Sequence, residues 1–301
     1  MTRRIAFGHN WVLLLCLCLC LCLVLWPGSG RAAQDEPPRI AIVIDDMGNA
    51  LRPGRAALAL PGRVTYAFLP QTPFAGRLAE QAHRLNKEVM LHLPMEAEQP
   101  LPLGPLALHR GMTRSDISQT LDEALSSVPH AVGVNNHMGS LLTSRPEAMQ
   151  WLMKDLSRRG LFFVDSRTSK ESAAANVAEH SAVSVAKRDV FLDSSRDPEA
   201  IRAQFQRLIR LAERQGSALA IGHPYPETLD VLGDELPRLE SLGIELVPAS
   251  RLTMINLRRN LWPVSSSLLP RVAKSLKPSP SSTCCVEPAS TSSSPASSRD
   301  R

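Results

Sequence analysis

The sequence predicts an α/β protein, a (β/α) barrel of about seven parallel strands. Three observations carry that prediction. Short β-rich runs alternate with amphipathic helical stretches through the whole middle of the chain. Such alternation implies parallel strands joined by helices. The number of runs then suits a closed or nearly closed barrel better than an open sheet. No internal repeat is visible.

The β-rich runs lie near residues 39–44, 64–69, 88–93, 131–134, 161–164, 190–192, 218–221 and 244–247. Between them, Thr113-x-x-Asp116 opens a helix as a capping box, and Ser144 with Glu147 is expected to open another. Asp197-Pro198 begins a third, with proline at the first helical position. Ile201, Phe205, Leu208, Ile209 and Ala212 follow at helical spacing and predict a core-facing stripe. Gly160, Gly216 and Gly243 each stand where a helix should close before the next strand.

The two ends differ from this middle. Arg3 and Arg4 precede residues 11–26, a run without charge, and small residues follow up to Ala32 and Ala33. Residues 1–33 therefore read as a secretory signal peptide, with an uncleaved signal-anchor as the alternative. The run is shorter than the ~20 residues that span a bilayer comfortably. Residues 263–301 form a Ser/Pro-rich tail without periodicity, expected to be disordered. Cys16, Cys18, Cys20 and Cys22 fall in the leader and Cys284 and Cys285 in the tail, so the domain at 34–262 has no disulfide framework. A chain of that size can rely on its core instead. The formal net charge of +5 also belongs to the ends, because residues 34–262 hold 26 basic and 27 acidic side chains. With no excess of positive charge, the domain does not read as a nucleic-acid binder.

Chemistry gathers at the ends of the predicted strands. Asp45 and Asp46 end the first, His92 the third and Asp165 the fifth, while His137 follows the fourth and His223 ends the seventh. In a parallel barrel the carboxyl ends of all strands open onto one face, so these side chains should converge. Helix capping explains one strand-end aspartate, but not five strands ending in Asp or His. Two histidines and a carboxylate suffice to hold a catalytic divalent metal and leave a position open for water. A further carboxylate can take a proton from that water, and a further histidine can protonate a leaving group. The inventory is that of metal-assisted hydrolysis.

The ordered motifs Ile-Asp-Asp-Met-Gly, His-Leu-Pro-Met-Glu, Asn-Asn-His-Met-Gly-Ser, Val-Asp-Ser-Arg-Thr-Ser and Gly-His-Pro make the chain resemble the divergent polysaccharide deacetylase family over residues 38–253. The resemblance implies a distorted, polysaccharide-deacetylase-like (β/α) barrel exported to the envelope or periplasm. It implies Asp45 as the catalytic base, and Asp46, His92 and His137 as ligands of a divalent metal, with zinc the expected ion. It makes His223 the acid for the departing group, with Asp165 orienting or balancing a catalytic side chain. Ordinary deacetylases of this superfamily take two metal histidines from one His-x-x-x-His segment, whereas here Glu96 stands four residues after His92. His137 is then the third ligand from another strand, and Glu96 and Asn136 are candidates for substrate or supporting contacts.

Tyr66 and Tyr225 are the only tyrosines, and each lies beside a strand end that could present it to a sugar face. Trp151 sits in a helical pattern as expected core, and Trp262 is the only other tryptophan outside the leader. With so few aromatics, a short saccharide contact is expected rather than a long platform. The expected activity is removal of acetyl groups from an N- or O-acetylated carbohydrate. The alternative is an envelope factor that keeps the barrel but binds a glycan or a protein without turnover. A phosphohydrolase ranks below both, because aspartyl-phosphate enzymes space their two aspartates by one residue. The membrane enters only through an uncleaved N-terminal segment.

Overall fold

The computed structural model describes residues 36–261. The expected leader at 1–33, the tail at 263–301 with Cys284 and Cys285, and Trp262 lie outside the described residues. One sheet contains β1 (Arg39–Met47), β2 (Thr65–Phe68), β3 (Glu88–Met95), β4 (Ala131–Met138), β5 (Phe162–Asp165), β6 (Val185–Lys187), β7 (Val190–Phe191), β8 (Ser217–Gly222) and β9 (Glu245–Leu246). The strand order is β6-β5-β4-β3-β2-β1-β8-β7, with β9 beside β1, and every pairing is parallel. This is a (β/α) barrel left open between β6 and β7. The sequence reading missed β6, whose three residues are too few to show a period of two.

The helices are α1 (Leu51–Leu58), α2 (Ala75–Arg84), α3 (Arg114–Ser127), α4 (Pro146–Arg159), α5 (Ala174–His180), α6 (Pro198–Gln215), α7 (Pro226–Glu235) and α8 (Ala249–Leu261). The Thr113–Asp116 capping box is present at the start of α3, with both reciprocal hydrogen bonds made. Asp197 caps α6 by accepting from the Ala200 amide. Gly160, Gly216 and Gly243 all take left-handed φ after a helical turn. The start of α4 corrects one expectation. Arg145, not Ser144, is its N-cap, and the Ser144 hydroxyl donates to the Leu141 carbonyl instead. A 3-10 turn at Leu142–Ser144 has already committed that serine.

Successive residues of a strand face opposite sides of the sheet, and here both sides are buried. Ile40, Ile42 and Ile44 of β1 face the surrounding helices with Tyr66, Phe68, Leu91, Val134 and Phe163. Ala41 and Val43 face the barrel interior with Ala67, Met90, Phe162, Val164, Ala186, Leu219 and Ile221. Ala249 and Leu252 of α8 join the interior group. The Ala249 and Ser250 amides donate to Thr65 Oγ1 and Glu88 Oε1, at the starts of β2 and β3. The C-terminal helix thus closes the end of the barrel opposite the strand ends that carry Asp45 and His92.

The predicted stripe on α6 is buried throughout, with Phe205 fully inaccessible. Phe205→Ala should therefore cost about 3–5 kcal/mol of stability. A drop in the urea midpoint with unchanged slope would report it.

Candidate active site

The interior parity of each strand continues past the core into polar residues at the carboxyl ends. Asp45 follows Ala41 and Val43, His92 follows Met90, Asn135 and His137 follow Gly133, and His223 follows Leu219 and Ile221. The register aligns His92 with Asn135 and Pro94 with His137. Period two alone therefore brings Asp45, His92, Asn135, His137 and His223 to one mouth. Asp46 has the opposite parity and should face the helices. A bulge between Ile44 and Met47 and a left-handed φ of 55° at Asp46 turn it into the site as well. Such backbone strain in a non-glycine residue persists where surrounding structure enforces it. Gly48 then lets the chain turn away, with φ 115° and a position where a Cβ would lie 2.1 Å from Thr72 Oγ1.

Three donor atoms meet at this mouth. Asp46 Oδ1 lies 3.1 Å from His137 Nδ1 and 3.3 Å from His92 Nε2, and the two nitrogens are 3.1 Å apart. Zinc bonds of about 2.0–2.2 Å in a tetrahedral arrangement place ligand atoms roughly 3.3 Å from one another. Asp46 Oδ1 is buried and has no hydrogen-bond partner, although buried carboxylate oxygens rarely go without one. The donor set and this orphaned oxygen fit a divalent cation held by Asp46, His92 and His137.

The surroundings fix these ligands. Asn135 Nδ2 donates to Asp45 Oδ1 at 2.8 Å, so its Oδ1 must accept, and it takes the Nδ1 proton of His92 at 2.8 Å. That leaves the Nε2 lone pair of His92 facing Asp46 and His137. Burial opposes the charged form of His92, yet Asp45 and Asp46 overcompensate and push its pKa up to about 9. A cation at Nε2 competes with that proton, so metal uptake should strengthen as pH rises. Burial also raises the Asp46 carboxyl, but His137 and His92 hold it well below the usual carboxylate range. Asp45 is the opposite case. Burial pushes its pKa up, with His92 and His223 only partly offsetting.

His223 stands across the site, with Nε2 3.7 Å from Asp46 Oδ2. Its Nδ1 donates to Asp193 Oδ1 at 2.9 Å, and Asp193 Oδ2 accepts from the His223 amide and the Thr228 hydroxyl. Burial lowers the pKa of His223, but Asp193 more than reverses this, and the net direction is up.

This pattern of residues and fold is matched elsewhere. The model of the divergent polysaccharide deacetylase family matches residues 42–253. The chain belongs to that family. Among its relatives, the uncharacterized protein YibQ of Escherichia coli K12 is 42% identical over 214 residues, 71% of this chain and 67% of that protein. An uncharacterized protein of Haemophilus influenzae is 36% identical over 209 residues, 69% of this chain and 74% of that protein. A crystal structure of an uncharacterized protein from Agrobacterium tumefaciens C58 superposes with a TM-score of 0.70 at 25% identity, over 72% of this chain and 89% of that one.

Within this deacetylase-family domain, the expectations for Asp165, Tyr66 and Glu96 need correction. Asp165 has the outward parity of Phe163. It accepts from the Arg167 amide and the Ser172 hydroxyl, so it braces the loop after β5 rather than orienting a catalytic histidine. Asp193 stands where Asp165 was expected. Tyr66 also faces outward, fully buried, with its hydroxyl donating to the Ala57 carbonyl, and cannot meet a sugar. Glu96 turns from the metal ligands to grip Arg110, accepting from its amide at 2.6 Å and lying 3.1 Å from its Nε. Asn136, directly before His137, holds the loops together through the Met138 carbonyl and the Ser166 amide. Tyr225 does reach the site, its ring 5.4 Å from that of His223 and beneath Arg196.

Asn135 and Asp193 were missed. Both lie on the inward parity at a strand end, Asp193 two residues after Phe191, so the alternation already visible in the sequence would have found them. Asp165→Asn should lower stability by about 1.5–3 kcal/mol through its hydrogen bonds, leaving zinc affinity unchanged. Urea denaturation and a zinc titration read the two effects separately.

Proposed function

We propose that this domain is an exported, metal-dependent hydrolase that removes acetyl groups from an N- or O-acetylated carbohydrate. The triangle of Asp46 Oδ1, His92 Nε2 and His137 Nδ1, with its orphaned carboxylate oxygen, is the observation that carries it. Two imidazoles and a carboxylate suit zinc. A bound zinc ion supplies Lewis acidity toward a carbonyl oxygen and lowers the pKa of a water.

The remaining work falls to the chain. Asp45 Oδ1 is engaged by Asn135, and Oδ2 lies 3.6 Å from His92 Nε2, open toward the ligands. That oxygen takes the proton of the attacking water, and the burial that raises the Asp45 pKa makes it a stronger base. His223 carries a proton on Nε2 and delivers it to the leaving nitrogen or oxygen as acetate departs. Asp193 fixes the ring and supports its charged form. Tyr225 and the segment from Asp46 to Ala50 line an adjoining pocket of about 270 Å³ that suits a single sugar. Export is supported by the Arg3, Arg4 and apolar 11–26 pattern. No helix among the described residues is long and apolar enough to cross a membrane.

The test is acetate release by the purified, zinc-loaded chain from N-acetylated chito-oligosaccharides and from O-acetylated xylan. Release that stops on chelation and returns with zinc is the expected outcome. If a zinc-loaded protein binds these glycans and releases nothing, the envelope glycan- or protein-binding alternative takes its place.

A further inference from the structure

We infer that a second cleft on the same face of the barrel binds an anionic part of the glycan, so that the substrate is an acidic saccharide. This rests on the hydrolase reading above and names its substrate class. The cleft, about 680 Å³, lies between segment 109–114 and the start of α4. Glu96 ties it to the metal-ligating strands. Its carboxylate holds Arg110 on one wall, while its carbonyl accepts the Leu141 and Leu142 amides on the other. The first of those segments lies in the connection after β3, which carries His92, and the second in the connection after β4, which carries His137.

The lining is mainly apolar, with charge at the rim. Trp151, the only tryptophan among the described residues, packs its body on the core and also lines the cleft. Arg114 and Arg145 line it too, both exposed and without an ion-pair partner among the described residues. Glu147 is the one acidic residue in the lining. An indole face suits the apolar face of a sugar ring, and guanidinium groups beside it suit a carboxylate or phosphate. The volume lies within the range of ordinary small-ligand sites. The scarcity of aromatics elsewhere no longer argues against glycan binding, because one tryptophan with two free cations makes a charge-selective subsite.

Calorimetric titration of the purified, zinc-loaded chain tests this with three N-acetylated probes. These are neutral tetra-N-acetylchitotetraose, a hyaluronan tetrasaccharide carrying carboxylates, and N-acetylglucosamine 6-phosphate. At least one acidic probe should bind more tightly than the neutral one, and which one does identifies the acid. Arg114→Ala with Arg145→Ala should weaken that probe by at least about tenfold and leave tetra-N-acetylchitotetraose unchanged. Equal affinities for neutral and acidic probes, or an unchanged affinity in the double variant, would overturn the inference. The Asp46→Asn chain separates the two claims. If it keeps the acidic preference while the unmodified chain releases no acetate, the cleft stands and the hydrolase reading falls.

Discussion

Asp46→Asn is expected to remove metal binding while leaving the barrel folded. Asparagine matches aspartate in shape and is among the few residues that tolerate the left-handed backbone found at this position. The bulge in β1 should therefore survive, and the circular dichroism spectrum with it. What changes is the charge on Oδ1, the buried oxygen that no donor satisfies. Losing an outer-shell partner of a ligand typically costs 10–100-fold in metal affinity. Losing a ligand's charge should cost more than that ~100-fold, and acetate release should fall to background. Competition with a chromophoric chelator measures the affinity. An unchanged zinc affinity would show that Asp46, His92 and His137 are not the metal site.

Asp193→Asn should separate proton transfer from metal binding. Asp193 touches none of the three donors, so zinc affinity should stay as it is. Its carboxylate supports the charged form of His223 and fixes the ring through Nδ1. General acid catalysis contributes about 10²–10⁴-fold, and kcat should fall within that range. The pH profile gives a sharper readout. Activity that requires protonated His223 declines as pH rises through its pKa. Neutralising Asp193 removes what raises that pKa, so the alkaline limb should move to lower pH. If kcat falls with no movement of that limb, Asp193 acts only on packing, and the acid is another group.

The contrast between Asp193 and Asp165 shows how far strand position carries. Both are aspartates at a strand end, and position alone makes them equivalent. Their parity differs, because Asp165 shares the outward face of Phe163 and Asp193 the inward face of Phe191. The same rule sends Tyr66 into the packing against the helices and Asn135 to the bridge between Asp45 and His92. These assignments were legible in the alternation of the strands. Glu96 was not legible, because it lies past the end of β3, where loop hydrogen bonds rather than pleat direct the side chain.

The amino-acid sequence alone settled the alternation of strands and helices, the parallel sheet that follows, and the strands whose ends carry the chemistry. Those features arise from local periodicity and capping, which nearby residues encode. Tertiary structure decided the opening between β6 and β7, the grip of Glu96 on Arg110 and the presence of Asp46 in the site. By strand parity Asp46 belongs outside. One left-handed residue at a bulge reverses it, a conformation that aspartate tolerates, and just beyond it the Leu69 and Phe74 amides donate to the Met47 and Gly48 carbonyls.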